Sequence, residues 1–253
     1  SKEEANIRAS ATSLSPYDSL LDIYEPGIKS SDVDVIFDDL KSWLPKLTQD
    51  VIEKQKSYAY ISDNNTYDVN KQKELGLKVM KHLGFDFNKG RVDTSNHPFC
   101  GGVPEDVRIT TRYDEKDFIS SLMGIVHESG HALYEQNLPK ELVSLPIGHA
   151  RSMGIHESQS LFFEMQIGRS VEFLESIRPL LIETFGNKEI FELEALNNIY
   201  TKVSQSKIRV DADEVTYASH VILRYEIERD LINGKINVSD IPELWNEKMK
   251  TYL

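Results

Sequence analysis

Two histidines four residues apart, with a glutamate directly after the first, are the side chains of this sequence best suited to chemistry. They are His127, Glu128 and His131 in the segment HESGH. On a helix, residues i and i+4 lie one above the other, about 5–6 Å apart, so both imidazoles can bind one metal ion. Glu128 lies beside that face, where it can deprotonate a water at the ion as a general base. The spacing predicts a zinc-type hydrolase site.

The HESGH segment belongs to a predicted buried helix over residues 114–138. Asp114 is expected to cap this helix, apolar residues recur at helical spacing, and Pro139 ends it. Buried imidazoles and a buried carboxylate are costly to desolvate, and a metal ion would satisfy all three. Gly124 and Gly130 weaken a helix, so their presence indicates that another element approaches closely there.

Length and composition favour a soluble protein with one large core. The 253 residues contain no apolar run of the roughly 18 residues that a membrane span needs, and the first ten lack the apolar core of a signal peptide. The single cysteine, Cys100, excludes an internal disulfide and a multi-cysteine zinc site. A net charge of −12 argues against nucleic acid or an anionic membrane as a partner. A cytoplasmic location is therefore expected.

The remaining patterns predict a mainly α fold, one domain over residues 1–253 with a small sheet beside the metal helix. Prolines and glycines between β-favouring residues predict a β-hairpin over residues 91–113. Ser31 is expected to cap a helix over 32–44, which Pro45 separates from a second helix. Further helices are expected near 70–83, 154–185, 189–205, 213–233 and 242–252.

A catalytic zinc ion usually takes three protein ligands, so a third ligand must come from elsewhere in the chain. The extended metzincin pattern requires Gly and His where this chain has Tyr134 and Asn137, which excludes that class. Cys100 is favoured as a packed or exposed residue rather than a ligand. The candidates that remain are His149, His156, Glu157 and Glu164.

Five motifs occur in the order HPF at 97–99, DVRIT at 106–110, HESGH, HESQ at 156–159 and IRVDAD at 208–213. Together they resemble the thermostable-carboxypeptidase family of HEXXH metallocarboxypeptidases, and the resemblance covers essentially the whole chain. A later motif of that family, Gly-x-x-Gln-Asp-x-His-Trp, does not occur in this sequence. The chain is therefore expected to be a central part of a longer family member.

The resemblance implies roles for individual residues. It makes Glu157 the third ligand, beside the two histidines of HESGH, and it makes Arg209 the group that holds the C-terminal carboxylate of the substrate. His156, in the same motif as Glu157, is then expected to orient a ligand or to contact substrate, and Gln159 to donate to the oxyanion or to support a ligand. His97 either contacts substrate or is a hairpin histidine with its hydrogen bonds satisfied.

Two further polar residues follow the IRVDAD motif on a predicted helix. Tyr217 and His220 either donate to a tetrahedral oxyanion or pack in the core with satisfied polar tips. Arg209 has an alternative as well, because it can pair with Asp211 or Asp213 on the surface.

The predicted function is a metallocarboxypeptidase that removes single residues from the C-termini of peptides, with Zn²⁺, cobalt or another divalent metal. The resemblance also implies a homodimer. A first alternative is an oligopeptide endopeptidase on a related helical groove, which would cleave amidated peptides. A second is a metal-binding fragment without turnover.

Overall fold

The computed structural model describes residues 1–253, except for the side chain of Asp211, so the expected pairing of Arg209 with Asp211 lies outside the described residues. The predicted mainly α fold is confirmed. The helices are α1 (Lys2–Thr12), α2 (Pro16–Tyr24), α3 (Ser30–Gln55), α4 (Val69–Leu83), α5 (Phe118–Gln136), α6 (Met153–Leu161), α7 (Val171–Phe185), α8 (Leu193–Tyr200), α9 (Tyr217–Ile232) and α10 (Ile241–Tyr252). The strands are β1 (Gly90–Thr94), β2 (Phe99–Val103) and β3 (Asp106–Thr111). None of the helices in the described residues is long and apolar enough to cross a membrane.

The chain divides into two compact units, and the expectation of a single domain stays a prediction. One unit is Ala59–Thr201, and the other combines Ser1–Tyr58 with Lys202–Leu253. In the second of these, the buried Glu226 of α9 accepts hydrogen bonds from Lys41 Nζ on α3 at 2.7 Å and from Lys248 Nζ on α10 at 2.6 Å. These charge-assisted bonds join three helices of that unit.

Helix α3 is longer than the sequence predicts, because Pro45 lies inside it rather than ending it. An internal proline costs about 3 kcal/mol, but Leu44 and Thr48 on either side of it are buried, and that packing holds the helix together. The helix also begins at Ser30, two residues before the start that a cap at Ser31 predicts. The Asp32 carboxylate accepts the backbone N–H of Lys29 at 3.0 Å and so stabilises that start.

The metal helix α5 begins later than predicted. Asp117, not Asp114, is its N-cap, and the Asp117 carboxylate accepts the backbone N–H of Ser120 at 3.0 Å. Asp114 instead accepts the backbone N–H of Lys116 at 2.8 Å, which forms a turn before the helix. The capped end at Asp117 places both histidines of HESGH in the interior of α5.

The unit of residues 59–201 has its core around α5. Fully buried Phe118, Leu122 and Val126 of this helix pack against α4 and α7. On another face of α5, Ile125 and Ala132 pack against a second cluster that includes the buried side chains of the small sheet, Val107 and Ile109. Because α5 is covered from both directions, its histidines are held on a rigid element.

The small sheet contains the predicted hairpin and one strand more. Strands β2 and β3 pair antiparallel, while β1 pairs with β3 in parallel, so the order is β1-β3-β2. The periodicity of the sequence gives strand positions but not strand direction. The partly buried side chain of Val92 on β1 packs against the apolar cluster beneath the sheet, and this contact favours the third strand.

The single helix predicted over residues 154–185 is interrupted. Helix α6 continues into a π-helical turn, Phe162–Ile167, and α7 starts afresh with Ser170 accepting the backbone N–H of Phe173 at 3.2 Å. Gly168 stands at the break, where an added β-carbon would lie 3.0 Å from Met123 Cε of α5. π-Helical turns occur frequently at functional sites, and this one follows directly after the helix that carries Glu157.

Candidate metal centre

Three predicted ligands lie together in the unit of residues 59–201. The Glu157 Oε2 atom is 3.0 Å from His131 Nε2 and 3.9 Å from His127 Nε2, and one donor atom of each residue lies within 4.8 Å of the others. Neighbouring donors on a tetrahedral ion with zinc-type bond lengths are about 3.3 Å apart. Two imidazoles and one carboxylate at these separations fit a divalent metal ion.

Burial and the neighbouring imidazoles have opposite effects on the pKa of the Glu157 carboxyl group. Burial would raise its pKa, but the hydrogen bond with His131 and the nearby imidazoles lower the pKa to about 2. The Ser160 hydroxyl also donates to Glu157 Oε2 at 3.1 Å. Glu157 is therefore an ionised carboxylate, the form that binds metal.

Helices α5 and α6 pack antiparallel, and this packing brings Glu157 to the two histidines. Residues that come later on α5 meet residues that come earlier on α6 and its π-helical extension. The pairs are Glu135 with His156, His131 with Glu157, Gly130 with Ser160, and His127 with Glu164.

Gly130 allows the two helices to approach closely, as the sequence indicated. A β-carbon on Gly130 would lie 2.6 Å from Ser160 Cα and 2.8 Å from the backbone oxygen of Gln159. Both are main-chain atoms of α6, which cannot turn aside as a flexible side chain could. The missing side chain of Gly130 therefore sets the distance between Glu157 and the histidines.

Gly130→Ala is expected to weaken metal binding and to lower the free energy of unfolding by about 1–3 kcal/mol, the usual cost of overpacking. The added methyl group must push α6 away from α5, and Glu157 moves with α6. Isothermal titration of the metal-free protein with Zn²⁺ and chemical unfolding measure the two effects.

Gly124→Ala is the matched control on the same helix. A β-carbon there would lie 3.3 Å from Thr111 Oγ1 and 3.6 Å from Pro98 Cγ, both side-chain atoms. Alanine is the better helix former by up to about 1 kcal/mol, so stability should be unchanged or higher and Zn²⁺ affinity unchanged. If both variants behaved alike, the close approach at Gly130 would not be what positions Glu157.

Glu128 is buried next to the first histidine, with 5 % of its surface exposed. Burial is the main reason that its pKa is raised to about 7, and the carboxylates of Glu157 and Glu164 raise it further while His127 opposes them. A carboxyl group that titrates near neutral pH is suited to both accepting and returning a proton.

Glu164 supports His127 from the side opposite Glu157. Its Oε2 atom is 2.8 Å from His127 Nδ1, and its Oε1 atom is 3.6 Å from Arg169 Nη2. Burial lowers the pKa of His127, but the Glu164 carboxylate outweighs it and raises the pKa. Glu164 was one of the four candidates for the third ligand. In the structure it contacts Nδ1 of His127 instead, which leaves Nε2 of that ring for a metal.

His156 is next to Glu157 in sequence and has both ring nitrogens engaged. Its Nδ1 is 2.7 Å from His131 Nδ1, and its Nε2 is 2.7 Å from Glu135 Oε1. Sequence reasoning missed Glu135, although it stands one helical turn after His131 and therefore on the same face. The last candidate ligand, His149, has its Nε2 atom 3.2 Å from the backbone oxygen of Val143.

The HPF segment lies beside the metal helix. Pro98 approaches Gly124, one turn before His127, while the exposed His97 accepts a hydrogen bond on its backbone oxygen from the Thr110 hydroxyl at 2.8 Å. Cys100 packs beneath the sheet, and burial is the main cause that raises its pKa to about 12. A thiol in this state matches the expected packed cysteine.

Three predicted substrate-site residues belong to the other compact unit. Arg209 is half-buried and its Nη1 donates to the Tyr217 hydroxyl at 3.1 Å. His220 is fully buried, and burial followed by the charge of Arg224 lowers its pKa. Asp213, an alternative partner for Arg209, accepts backbone N–H groups of Ser204, Val215 and Thr216.

Comparison with known proteins places this arrangement in a family. Residues 1–253 match the family model described as carboxypeptidase Taq (M32) metallopeptidase. The chain belongs to this family. Membership confirms the resemblance found in the sequence motifs, and it implies a divalent metal, for which the donors of His127, His131 and Glu157 are available.

Named M32 relatives are similar over nearly all of this chain. Carboxypeptidase 1 of Bacillus subtilis is 41% identical over 94% of this chain and 48% of its own length. Thermostable carboxypeptidase 1 of Thermus thermophilus is 41% identical over 94% and 47%. The solved structure of Trypanosoma cruzi metallocarboxypeptidase 1 superposes with a TM-score of 0.95 at 49% identity, over 100% of this chain and 53% of that one. The chain thus spans about half the length of the curated M32 relatives it matches.

Proposed function

We propose that this protein hydrolyses the C-terminal peptide bond of peptides, with Zn²⁺ held by His127, His131 and Glu157. The observation that carries the proposal is the convergence of these three donors next to a buried glutamate, Glu128, in an M32 chain. Cobalt or another divalent metal would be held by the same donors.

The chemistry of the site divides between the ion and the chain. When bound, Zn²⁺ would polarise the scissile carbonyl and lower the pKa of water beside it to about 7. Glu128 takes the proton of the attacking water and passes it to the leaving amine. Its buried position and its pKa near 7 suit both transfers, since one group must act first as base and then as acid.

Recognition of the C-terminus is assigned to Arg209. A guanidinium group presents a planar fork of donors that matches a carboxylate, and Tyr217 supports one of its nitrogens by accepting a hydrogen bond. Tyr217 is also the better candidate to donate to an oxyanion, because His220 is fully buried and suits a packing role. The proposal includes a peptide substrate and a cytoplasmic location. It also includes a homodimer, which the resemblance of the sequence motifs implies.

Arg209→Ala is expected to lower kcat/KM for a free-acid peptide by about 10- to 150-fold, since a charge-assisted hydrogen bond contributes about 1.5–3 kcal/mol. The comparison of a free-acid peptide with its C-terminally amidated form, followed by mass spectrometry of the product ladder, measures the effect. Arg209→Lys is the matched control, which keeps the charge and loses the fork.

The same assay separates carboxypeptidase action from the two alternatives. Stepwise loss of single C-terminal residues from the free acid supports the proposal. Efficient cleavage of the amidated peptide by the unmodified chain would show an endopeptidase, and stoichiometric metal without any product would show a binding fragment.

A further inference from the structure

The His131 ring begins a chain of hydrogen bonds that leads away from the metal centre to a carboxylate. His131 Nδ1 is 2.7 Å from His156 Nδ1, and His156 Nε2 is 2.7 Å from Glu135 Oε1. The side chains of all three residues are largely covered, with exposed fractions of 14, 11 and 22%. Bonds of this length in a shielded setting hold their partners firmly.

Only one arrangement of protons satisfies both of these hydrogen bonds when His131 binds a metal. The Nε2 atom of His131 faces Glu157 and must offer a lone pair, so the ring proton of His131 is on Nδ1. His156 Nδ1 then accepts that proton in a hydrogen bond. The remaining proton of His156 is on Nε2 and is donated to Glu135.

We propose that Glu135 is a positioning residue that acts through His156 to fix the tautomer and the orientation of His131. The inference rests on the proposed metal site and adds Glu135, which is not one of its three donors, behind His156. Groups behind a metal-binding histidine have this effect because they hold the ring and raise its basicity.

The two ligand histidines are held by different routes. His127 meets its carboxylate, Glu164, directly at 2.8 Å, whereas His131 reaches Glu135 only through a second imidazole. The ring of His156 is itself confined, since its centroid lies 4.7 Å from those of both His131 and Tyr134. An imidazole packed in this way passes the constraint of Glu135 on to His131.

Zn²⁺ affinity of the metal-free protein, measured by competition with a chromophoric chelator, tests the proposal. Glu135→Leu is expected to weaken Zn²⁺ binding by about 10- to 100-fold. Glu135→Gln should weaken it less, because the amide oxygen still accepts the bond from His156. Glu141→Leu is the matched control, the same change at an exposed glutamate six residues further on, and should bind as the unmodified chain does.

A double-mutant cycle with His156→Phe shows whether Glu135 acts through His156. Phenylalanine keeps a ring between Tyr134 and His131 but removes both hydrogen bonds. If the proposal is right, Glu135→Leu has no further effect in the His156→Phe background. Additive losses would mean that Glu135 acts by another route, and the proposal would be overturned.

Nitrogen NMR of the zinc-loaded, unmodified protein gives a readout that needs no variant. We expect the proton of His131 on Nδ1 and that of His156 on Nε2, and this measurement decides the matter if Glu135→Leu does not fold. His156 with its proton on Nδ1 would refute the inference alone. An unmodified chain that binds no Zn²⁺ would instead refute the proposed function, and the inference with it.

Discussion

Glu128→Gln is expected to abolish peptide hydrolysis and to leave metal binding intact. The amide has the shape of the carboxyl group but cannot accept the proton of the attacking water. Loss of a general base lowers the rate by about 10²- to 10⁴-fold, and the upper end is expected because the proposed mechanism uses Glu128 for both proton transfers. Rates on a free-acid peptide and metal content by elemental analysis measure the two properties.

His131→Ala is the comparison that gives this result its meaning. It removes a nitrogen that lies 3.0 Å from Glu157 Oε2, so both metal and activity should be lost. Equal metal loss in Glu128→Gln and His131→Ala would make Glu128 a ligand, and its assignment as general base would be wrong.

Glu157→Ala is expected to lose the metal. The drop in Zn²⁺ affinity should be much larger than the roughly 10- to 100-fold caused by removal of a supporting residue. The Glu157 Oε2 atom lies 3.0 Å from His131 Nε2 and 3.9 Å from His127 Nε2. The charge also matters, since Zn²⁺ together with one carboxylate and two neutral imidazoles would have a net charge of +1, and loss of Glu157 would raise it to +2. Zn²⁺ titration of the metal-free protein measures the loss.

His156 is the natural rival, because successive helical residues point about 100° apart and only one of two neighbours can face the ion. His156→Phe should therefore keep Zn²⁺ with reduced affinity. The Glu157 assignment would fail if His156→Phe lost the metal completely while Glu157→Ala retained it.

Some elements of the fold follow from local sequence and others do not. Helix α4 ends at Leu83, where the predicted helix over 70–83 also ends, because Gly84 follows it with a φ of 98° that glycine adopts without strain. The prediction from sequence was wrong at Pro45, where burial of Leu44 and Thr48 offsets the cost of a proline inside a helix. It was incomplete at the sheet, where strand direction depends on packing. At Pro45 packing overrode a local signal, whereas for the direction of β1 the sequence carried no local signal.

The sequence by itself determined which side chains are available for chemistry at the centre. The spacing of His127, Glu128 and His131 is a local property of one helix, and the ordered motifs were sufficient to indicate the M32 family. Gly130 belongs here too, since a glycine amid a buried helix indicated the close approach that α6 makes.

Only the tertiary structure decided which group stands on which side of each imidazole. Residue chemistry left four candidates for the third ligand, from which the family resemblance selected Glu157. The antiparallel packing of α5 and α6 put Glu157 on the Nε2 atoms, Glu164 on Nδ1 of His127, and His156 on Nδ1 of His131. Glu135, which the sequence did not predict as a site residue, belongs to the same hydrogen-bond network. The physical reason is that spacing along one helix fixes the positions of its own side chains, while the face that a second helix presents depends on how closely and in which direction the two helices pack.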